Sequence, residues 1–221
     1  MPDAVLFDLD GTLIDTAPDM GGALNNLLLE ENLPTLPLQQ IRPYVSQGGL
    51  VLTRLGFAEH VDEADIEPLR QRFLQHYRAI VADESHLFEG FDTVLAELES
   101  RAIPWGIVTN KPEWLAKPLL QQLGLAERSA TMIGGDTLEQ RKPHPMPLLE
   151  AARRIGVDAK KCIYVGDDER DIVAGRAAAM KTLVAAYGYI EDACAIDGWQ
   201  ADGIIDRPID LLQHPLLEAL S

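Results

Sequence analysis

The sequence predicts a doubly wound, Rossmann-like α/β protein whose parallel sheet is interrupted, after its first strand, by an all-helical insertion. Three observations carry this. Short apolar runs alternate with amphipathic helical patterns, as a chain of βαβ units requires. Several of the runs are apolar at successive positions, which suits strands covered on both faces. One long segment, from about Asp15 to Glu84, shows helical periodicity and no convincing strand.

Taken in order, Ala4–Asp8 is the first strand. Met20, Leu24, Leu27 and Leu28 then mark a helix with Pro18 in its first turn, where proline is tolerated. Ile66, Leu69, Phe73, Tyr77 and Ile80 form one stripe of a further helix. The acid-rich Asp62-Glu63-Ala64-Asp65 before it reads as a helix start favoured by the dipole, not as a calcium loop. Strands over Ile103–Val108, Thr131–Ile133, Cys162–Val165, Thr182–Ala186 and Gly203–Ile205 follow. Between them lie helices over Phe91–Arg101, Pro112–Leu123, Pro147–Ile155 and Asp171–Met180. Val94, Leu95 and Leu98 share one face of the first of these, and Leu115, Leu119, Leu120 and Leu123 one face of the second. The expected organisation is an α/β core of residues 1–14 and 86–221 with a helical cap of residues 15–85. An insertion at this point lies beside the carboxyl ends of the strands, where such sheets bind ligands, and is placed to act as a lid.

Composition narrows the function. With 47% apolar residues and 221 in all, the chain can build a substantial core. Nineteen basic residues against 35 acidic ones give a net charge of −16, which argues against nucleic acid or any other polyanion as a partner. No apolar run approaches the ~18 residues of a membrane span, and Met1 leads into Ala-Val-Leu-Phe without a basic region or cleavage site. A soluble, cytoplasmic protein is expected, as monomer or homodimer. Cys162 and Cys194 lack metal-ligand spacing and read as reduced thiols rather than a disulfide. The five histidines are scattered and carry no assigned role. Trp105, Trp114 and Trp199 read as packing residues.

The chemistry concentrates at predicted strand ends. Asp8-Leu9-Asp10-Gly11-Thr12-Leu13 follows the first strand. Carboxylates at i and i+2 point the same way, and the glycine permits a sharp turn. Such a pair can bind a hard cation, with one carboxylate as nucleophile and the other as acid/base; it can also be an ordinary strand cap. Thr109-Asn110 follows another strand, where it could equally cap the helix opened by Pro112. Lys142, in Gln140-Arg141-Lys142-Pro143, would alone be a loop lysine. Gly166-Asp167-Asp168 with Asp171 follows a fourth run, where Asp168 and Asp171 could simply be first-turn acids.

In this order, the four elements resemble the motif set of the haloacid dehalogenase superfamily of phosphohydrolases, and the resemblance spans essentially the whole chain. It implies Asp8 as nucleophile forming an aspartyl-phosphate, and Asp10 as proton donor to the leaving alkoxide and then as base toward water. For Asp10 to hold that proton, nearby Asp8, Asp167 and substrate phosphate would supply like charge. Thr109 and Asn110 would donate to phosphoryl oxygens, and Lys142 would contact nucleophile and phosphate. Mg²⁺ would be held by Asp8, the backbone carbonyl of Asp10, and Asp167, with Asp168 and Asp171 in support. The partner would be a small phosphorylated metabolite.

Within that superfamily, phosphonate hydrolases use a cap lysine, and residues 15–85 contain none. Dehalogenases lack the second aspartate and the metal, so Asp10 and Asp167 speak against them. Mutases recruit basic groups where this chain has Asp15-Thr16-Ala17-Pro18-Asp19. The motifs Val108-Thr109-Asn110-Lys111-Pro112, Gly166-Asp167-Asp168-Glu169-Arg170-Asp171 and Tyr187-Gly188-Tyr189 are similar to those of phosphoglycolate phosphatases and of N-acetylmuramic acid 6-phosphate phosphatases. A non-catalytic phosphate-binding module is the rival from another class, and the intact set of acids and lysine speaks against it. In the cap, Ser46-Gln47-Gly48-Gly49 reads as a loop whose Gly48 and Gly49 N–H groups could approach substrate. Arg54 reads as a candidate partner for a substrate carboxylate; the bland alternatives are a turn and a solvated helix residue.

Overall fold

The computed structural model describes residues 1–219. Its main sheet has six parallel strands: β1 (Ala4–Phe7), β4 (Trp105–Val108), β5 (Met132–Ile133), β6 (Cys162–Gly166), β7 (Lys181–Ala185) and β8 (Gly203–Ile205). All six runs expected from apolarity are strands. They lie in the order β5-β4-β1-β6-β7-β8. Alternation on the strands divides the core in two: Val5, Phe7, Ile107, Ile163 and Val165 pack on one side, and Ala4, Leu6, Val108, Cys162 and Tyr164 on the other. Both faces are buried, as a parallel sheet demands.

The expected helices follow their strands as α5 (Phe91–Ser100), α6 (Glu113–Gln122), α7 (Met146–Ile155) and α8 (Glu169–Ala177), with a short α9 (Pro215–Ala219) at the end. The insertion holds α1 (Ala17–Glu30), α2 (Leu38–Ile41), a 3-10 turn over Arg42–Gln47, α3 (Gly49–Phe57) and α4 (Glu63–Ala79). Leu24, Leu27, Phe73 and Tyr77, from α1 and α4, share one apolar cluster.

One departure from expectation lies at the root of the insertion. β2 (Ile14–Asp15) and β3 (His86–Leu87) pair antiparallel and bring the two connections side by side. Two-residue strands have no periodicity to read, so this ribbon was not expected. The connections are further tied by buried Asp19, whose carboxylate accepts from the N–H groups of Ala82, Glu84 and Ser85 at 2.9–3.1 Å. The start of α1 is capped from a distance. The Tyr189 hydroxyl accepts from the Thr16 and Ala17 N–H groups and donates to Asp15, at 2.7–2.9 Å, satisfying donors that a helix start leaves unpaired. Arg42 completes the joint, 2.7 Å from the other Asp15 oxygen and over the Tyr189 ring.

The tryptophans differ from one another. Trp105 is buried and donates to Glu99, and Trp199 packs beside Ile172, Val184 and Ile196, both as packing residues. Trp114 is 39% exposed, and Arg78 of α4 lies over its ring, 5.4 Å from the centroid. It joins insertion to core rather than filling an interior. Both cysteines are free thiols. No helix among the described residues is long and apolar enough to cross a membrane.

Candidate active site

β1 lies between β4 and β6, where the strand order reverses, so its carboxyl end opens into the crevice at which such sheets bind ligands. Asp8 is the first residue beyond that end and is nearly buried. The chain then turns at Gly11, whose φ is +81°; a Cβ there would sit 2.1 Å from the Asp167 carboxylate. Only glycine fits, because the Asp8–Asp10 loop and the end of β6 touch at that point.

Lys142 organises the centre. Its buried ammonium lies 2.8 Å from Asp8 and 2.7 Å from Asp171, and donates to the Tyr164 hydroxyl at 2.9 Å. Burial alone would favour the neutral amine, but the Asp171 and Asp8 carboxylates outweigh it and raise the lysine's pKa. Asp8 is pushed up to about 6, chiefly by burial, against the pull of Lys142. Asp167 is pushed up to about 8 by burial, then by Asp8 and Asp171. Carboxylate oxygens of Asp8, Asp167 and Asp171 approach within 4.8 Å of one another.

Asp171 is already saturated by Lys142, Tyr164 and the Asp168 N–H. Asp8 lines the crevice, and buried Asp167 stands behind it, accepting from the Thr12 hydroxyl and the Tyr189 N–H. The Ser46 hydroxyl, reaching over from the insertion, lies 2.9 Å from an Asp167 oxygen and 3.2 Å from the Asp10 carbonyl. Those two oxygens therefore converge on one point. Together with Asp8 they form an all-oxygen donor set suited to a hard divalent cation.

The other expected site residues are held by contacts of their own. The Asp10 carboxylate is near enough to Asp8 to push that acid's pKa up, but its direct contacts lie elsewhere. It accepts from Lys111 at 2.9 Å and from the Thr16 hydroxyl at 2.6 Å, so an opposite charge rather than a like charge is its nearest ionic neighbour. Lys111 was not singled out by sequence reasoning. It is 7% exposed, and burial, which disfavours its charge, is outweighed by Asp10, leaving its pKa raised. Asn110 engages both ends of its carboxamide on the Lys142 backbone, at 2.9 and 3.0 Å, so it places the lysine. Thr109 is buried beside it, and its Oγ1 accepts from the Lys111 N–H. Asp168 caps α8, forming with Asp171 a capping box, and pairs with Arg170; its contacts are those of a helix start.

Above these groups is a cavity of about 840 Å³. Asp8, Asp10, Thr109, Asn110, Lys111 and Lys142 line its floor, and Ser46, Gly48, Gly49, Arg70 and Tyr77 come from the insertion. Gly48 has a φ of +87°, which favours glycine, while a Cβ on Gly49 would meet the Phe73 ring at 3.0 Å. Arg54 is not part of this wall. It pairs at the surface with Glu63, across the turn between α3 and α4.

A strand-end aspartate held against a buried lysine, beside a cation-ready acidic pair and under a helical roof, defines an aspartate-centred hydrolase. Comparison with known proteins agrees: residues 5–185 match the haloacid dehalogenase-like hydrolase model, and the chain belongs to that family. A phosphoglycolate phosphatase of Xanthomonas campestris is 51% identical over 210 residues, covering 95% of each chain. An N-acetylmuramic acid 6-phosphate phosphatase of Pseudomonas putida is 42% identical, covering 94% of this chain and 93% of its own. A haloacid dehalogenase-like hydrolase of Streptococcus pneumoniae superimposes with a TM-score of 0.81 at 23% identity, covering 95% of this chain and 96% of its own, and so shares the fold.

Proposed function

We propose that the chain is a Mg²⁺-dependent cytoplasmic phosphatase that hydrolyses a small phosphomonoester through an aspartyl-phosphate, of the phosphoglycolate phosphatase type. The observation that carries the substrate class is the 51% identity to the Xanthomonas enzyme across nearly the full length of both chains. Asp8 is the nucleophile, and Lys142 orients it and neutralises charge on the transferring group. Thr109 donates its hydroxyl to a phosphoryl oxygen. Asp10, braced by Lys111 and Thr16, protonates the leaving oxygen and later takes a proton from water.

Asp8, the Asp10 carbonyl and Asp167 would hold Mg²⁺, and the ion would supply Lewis-acid stabilisation of phosphoryl charge. Residues 15–85 act as a cap over the core of residues 1–14 and 86–221. Closure would exclude water while the phosphoenzyme forms, and the reach of Ser46 from the insertion to Asp10 and Asp167 supports that reading.

Metal binding must displace protons from Asp8 and Asp167, whose pKa values are pushed up to about 6 and about 8 in the metal-free protein. Both groups bind protons more tightly folded than unfolded, so their contribution favours the metal-free fold at low pH and is lost as pH rises through those values. The rise in melting temperature on adding Mg²⁺ in place of chelator is therefore expected to be small near pH ~5.5 and to grow to about pH 8.5. A shift independent of pH would remove these two acids from the metal site.

The 840 Å³ cavity also has room for a sugar, which favours the amino-sugar phosphate as second reading. Phosphate release with Mg²⁺ from 2-phosphoglycolate and from N-acetylmuramic acid 6-phosphate separates the two. Phosphoglycolate is expected to lead by ~100-fold or more in kcat/KM, about 2.7 kcal/mol of transition-state discrimination. A lead of that size for the sugar would reverse the assignment, and no release from either would favour a non-catalytic binding module.

A further inference from the structure

We propose that Lys111, seated on the ring of Tyr77, reads a carboxylate carried one carbon beyond the ester oxygen of the substrate, with the Tyr77 hydroxyl as the second donor to that carboxylate. The inference rests on the phosphoglycolate reading and names the residues that would enforce it. The Lys111 ammonium is 2.9 Å from an Asp10 oxygen and 4.3 Å from the Tyr77 ring centroid. Both side chains line the cavity. Tyr77 is fully buried, and its hydroxyl faces the Lys111 ammonium without a hydrogen bond of good geometry to any described residue. A buried hydroxyl without a partner is costly, and at a cavity wall it marks where a ligand's acceptor belongs.

The stereochemistry of the reaction fixes what that acceptor is. In-line attack by Asp8 sets the ester oxygen against Asp10, the proton donor. In a 2-phosphoglycolate-like ester, the carboxylate is attached to the methylene carried by that oxygen. It falls beside Asp10, within reach of a charge-assisted hydrogen bond from a cation already in contact with Asp10. An ammonium has three donors; Asp10 accepts one and the Met20 sulfur, at 3.9 Å, is a weak acceptor for a second, which leaves the third for a ligand. A hexose 6-phosphate presents uncharged ring carbons at the same place, and any carboxylate it carries lies further off.

The other cations of the cavity are less suited. Lys142 is held by Asp8 and Asp171, Arg170 by Asp168, and Arg70 by Glu67. Arg141 is exposed and has no ion-pair partner among the described residues, so it is the rival reader.

The test compares 2-phosphoglycolate with ethyl phosphate, an ester of similar size without the carboxylate, on the intact chain with Mg²⁺. The parent is expected to prefer the carboxylated ester by ~100-fold or more in kcat/KM. Lys111→Met removes the brace of Asp10 and should slow both esters, but it should lower kcat/KM for phosphoglycolate further, through KM, so that most of the preference is lost; its melting curve reports that the variant is folded. Tyr77→Phe, which keeps the ring and the apolar contacts, should lower the preference in the same direction by a smaller factor. Arg141→Ala should leave the preference in place.

Equal losses on both esters in Lys111→Met would mean that the lysine acts only through Asp10. Retention of the preference in Lys111→Met and Tyr77→Phe, or its collapse in Arg141→Ala alone, would overturn the inference and leave the phosphoglycolate reading standing. A parent without preference for the carboxylated ester would overturn both.

Discussion

Replacing Asp8 with asparagine is expected to lower phosphate release by at least ~10⁴-fold, the size of loss seen when a covalent nucleophile is removed from a preorganised site. The substitution keeps the shape of the side chain but exchanges a carboxylate for a weakly nucleophilic amide. Lys142 retains Asp171 at 2.7 Å and the Tyr164 hydroxyl at 2.9 Å, so the lysine stays in place and the fold with it. The stability effect has the opposite sign from the activity effect. Asp8 is pushed up to about 6 by burial, which means that the folded protein holds this carboxylate charged at neutral pH at a cost. A neutral amide removes that cost. The metal-free variant should melt no lower than the parent at pH ~7, and the difference in its favour should open as pH rises from about 4 to about 6, where the parent's Asp8 ionises more readily unfolded than folded. Paired melting curves and phosphate assays on one preparation check both signs. Turnover within ~10-fold of the parent would remove Asp8 as nucleophile.

The residues that make this site were legible to different degrees, for reasons that are physical. β1, β4, β6 and β7 are buried on both faces, so their apolar runs stand out against the polar loops that end them, and the chemistry sits where the runs stop. Asp8, Thr109, Lys142 and Asp167 could therefore be placed at one edge of one sheet before any coordinates. The β2–β3 ribbon could not, because pairing Ile14 with Leu87 and Asp15 with His86, 73 and 71 positions later, leaves no local pattern. Arg54 looked available because sequence shows a charge but not its partner; Glu63, at the start of the next helix, takes it. Lys111 was hidden for the converse reason. It stands in a motif already accounted for by Thr109 and Asn110, and only the packing of α4 over the sheet edge brings Tyr77 beneath its ammonium. The grip of the Asn110 carboxamide on the Lys142 backbone was equally invisible in the sequence, because it joins two loops 32 positions apart. Positions along the edge of a sheet follow from hydrophobic pattern; partners across two layers follow from tertiary packing.

That distinction bears most heavily on Lys142, whose substitution should carry the largest stability cost in the molecule. Lys142→Met preserves much of the stem's apolar volume and removes the ammonium from the buried carboxylates of Asp8 and Asp171. Breaking a buried ion pair from one side costs about 3–5 kcal/mol, because the remaining charges have neither water nor counter-ion. The effect should depend on pH in a determined direction. Asp8 is pushed up to about 6 by burial, so at pH ~8 the variant holds it ionised without its counter-ion; at about pH 5 its protonation relieves that charge, and the gap between variant and parent in urea denaturation should narrow. Activity should be lost at either pH, since no other basic side chain among the described residues pairs with Asp8. A second substitution tests the cause of the instability. Adding Asp8→Asn to Lys142→Met removes one of the stranded carboxylates and should recover part of the lost stability without recovering turnover. If the double variant is less stable than Lys142→Met by the full effect of a second, independent lesion, the cost lies in packing around the lysine stem. If it is more stable, the cost lies in uncompensated charge, and the same charge balance that holds the fold together is the one that keeps the nucleophile ionised and aimed.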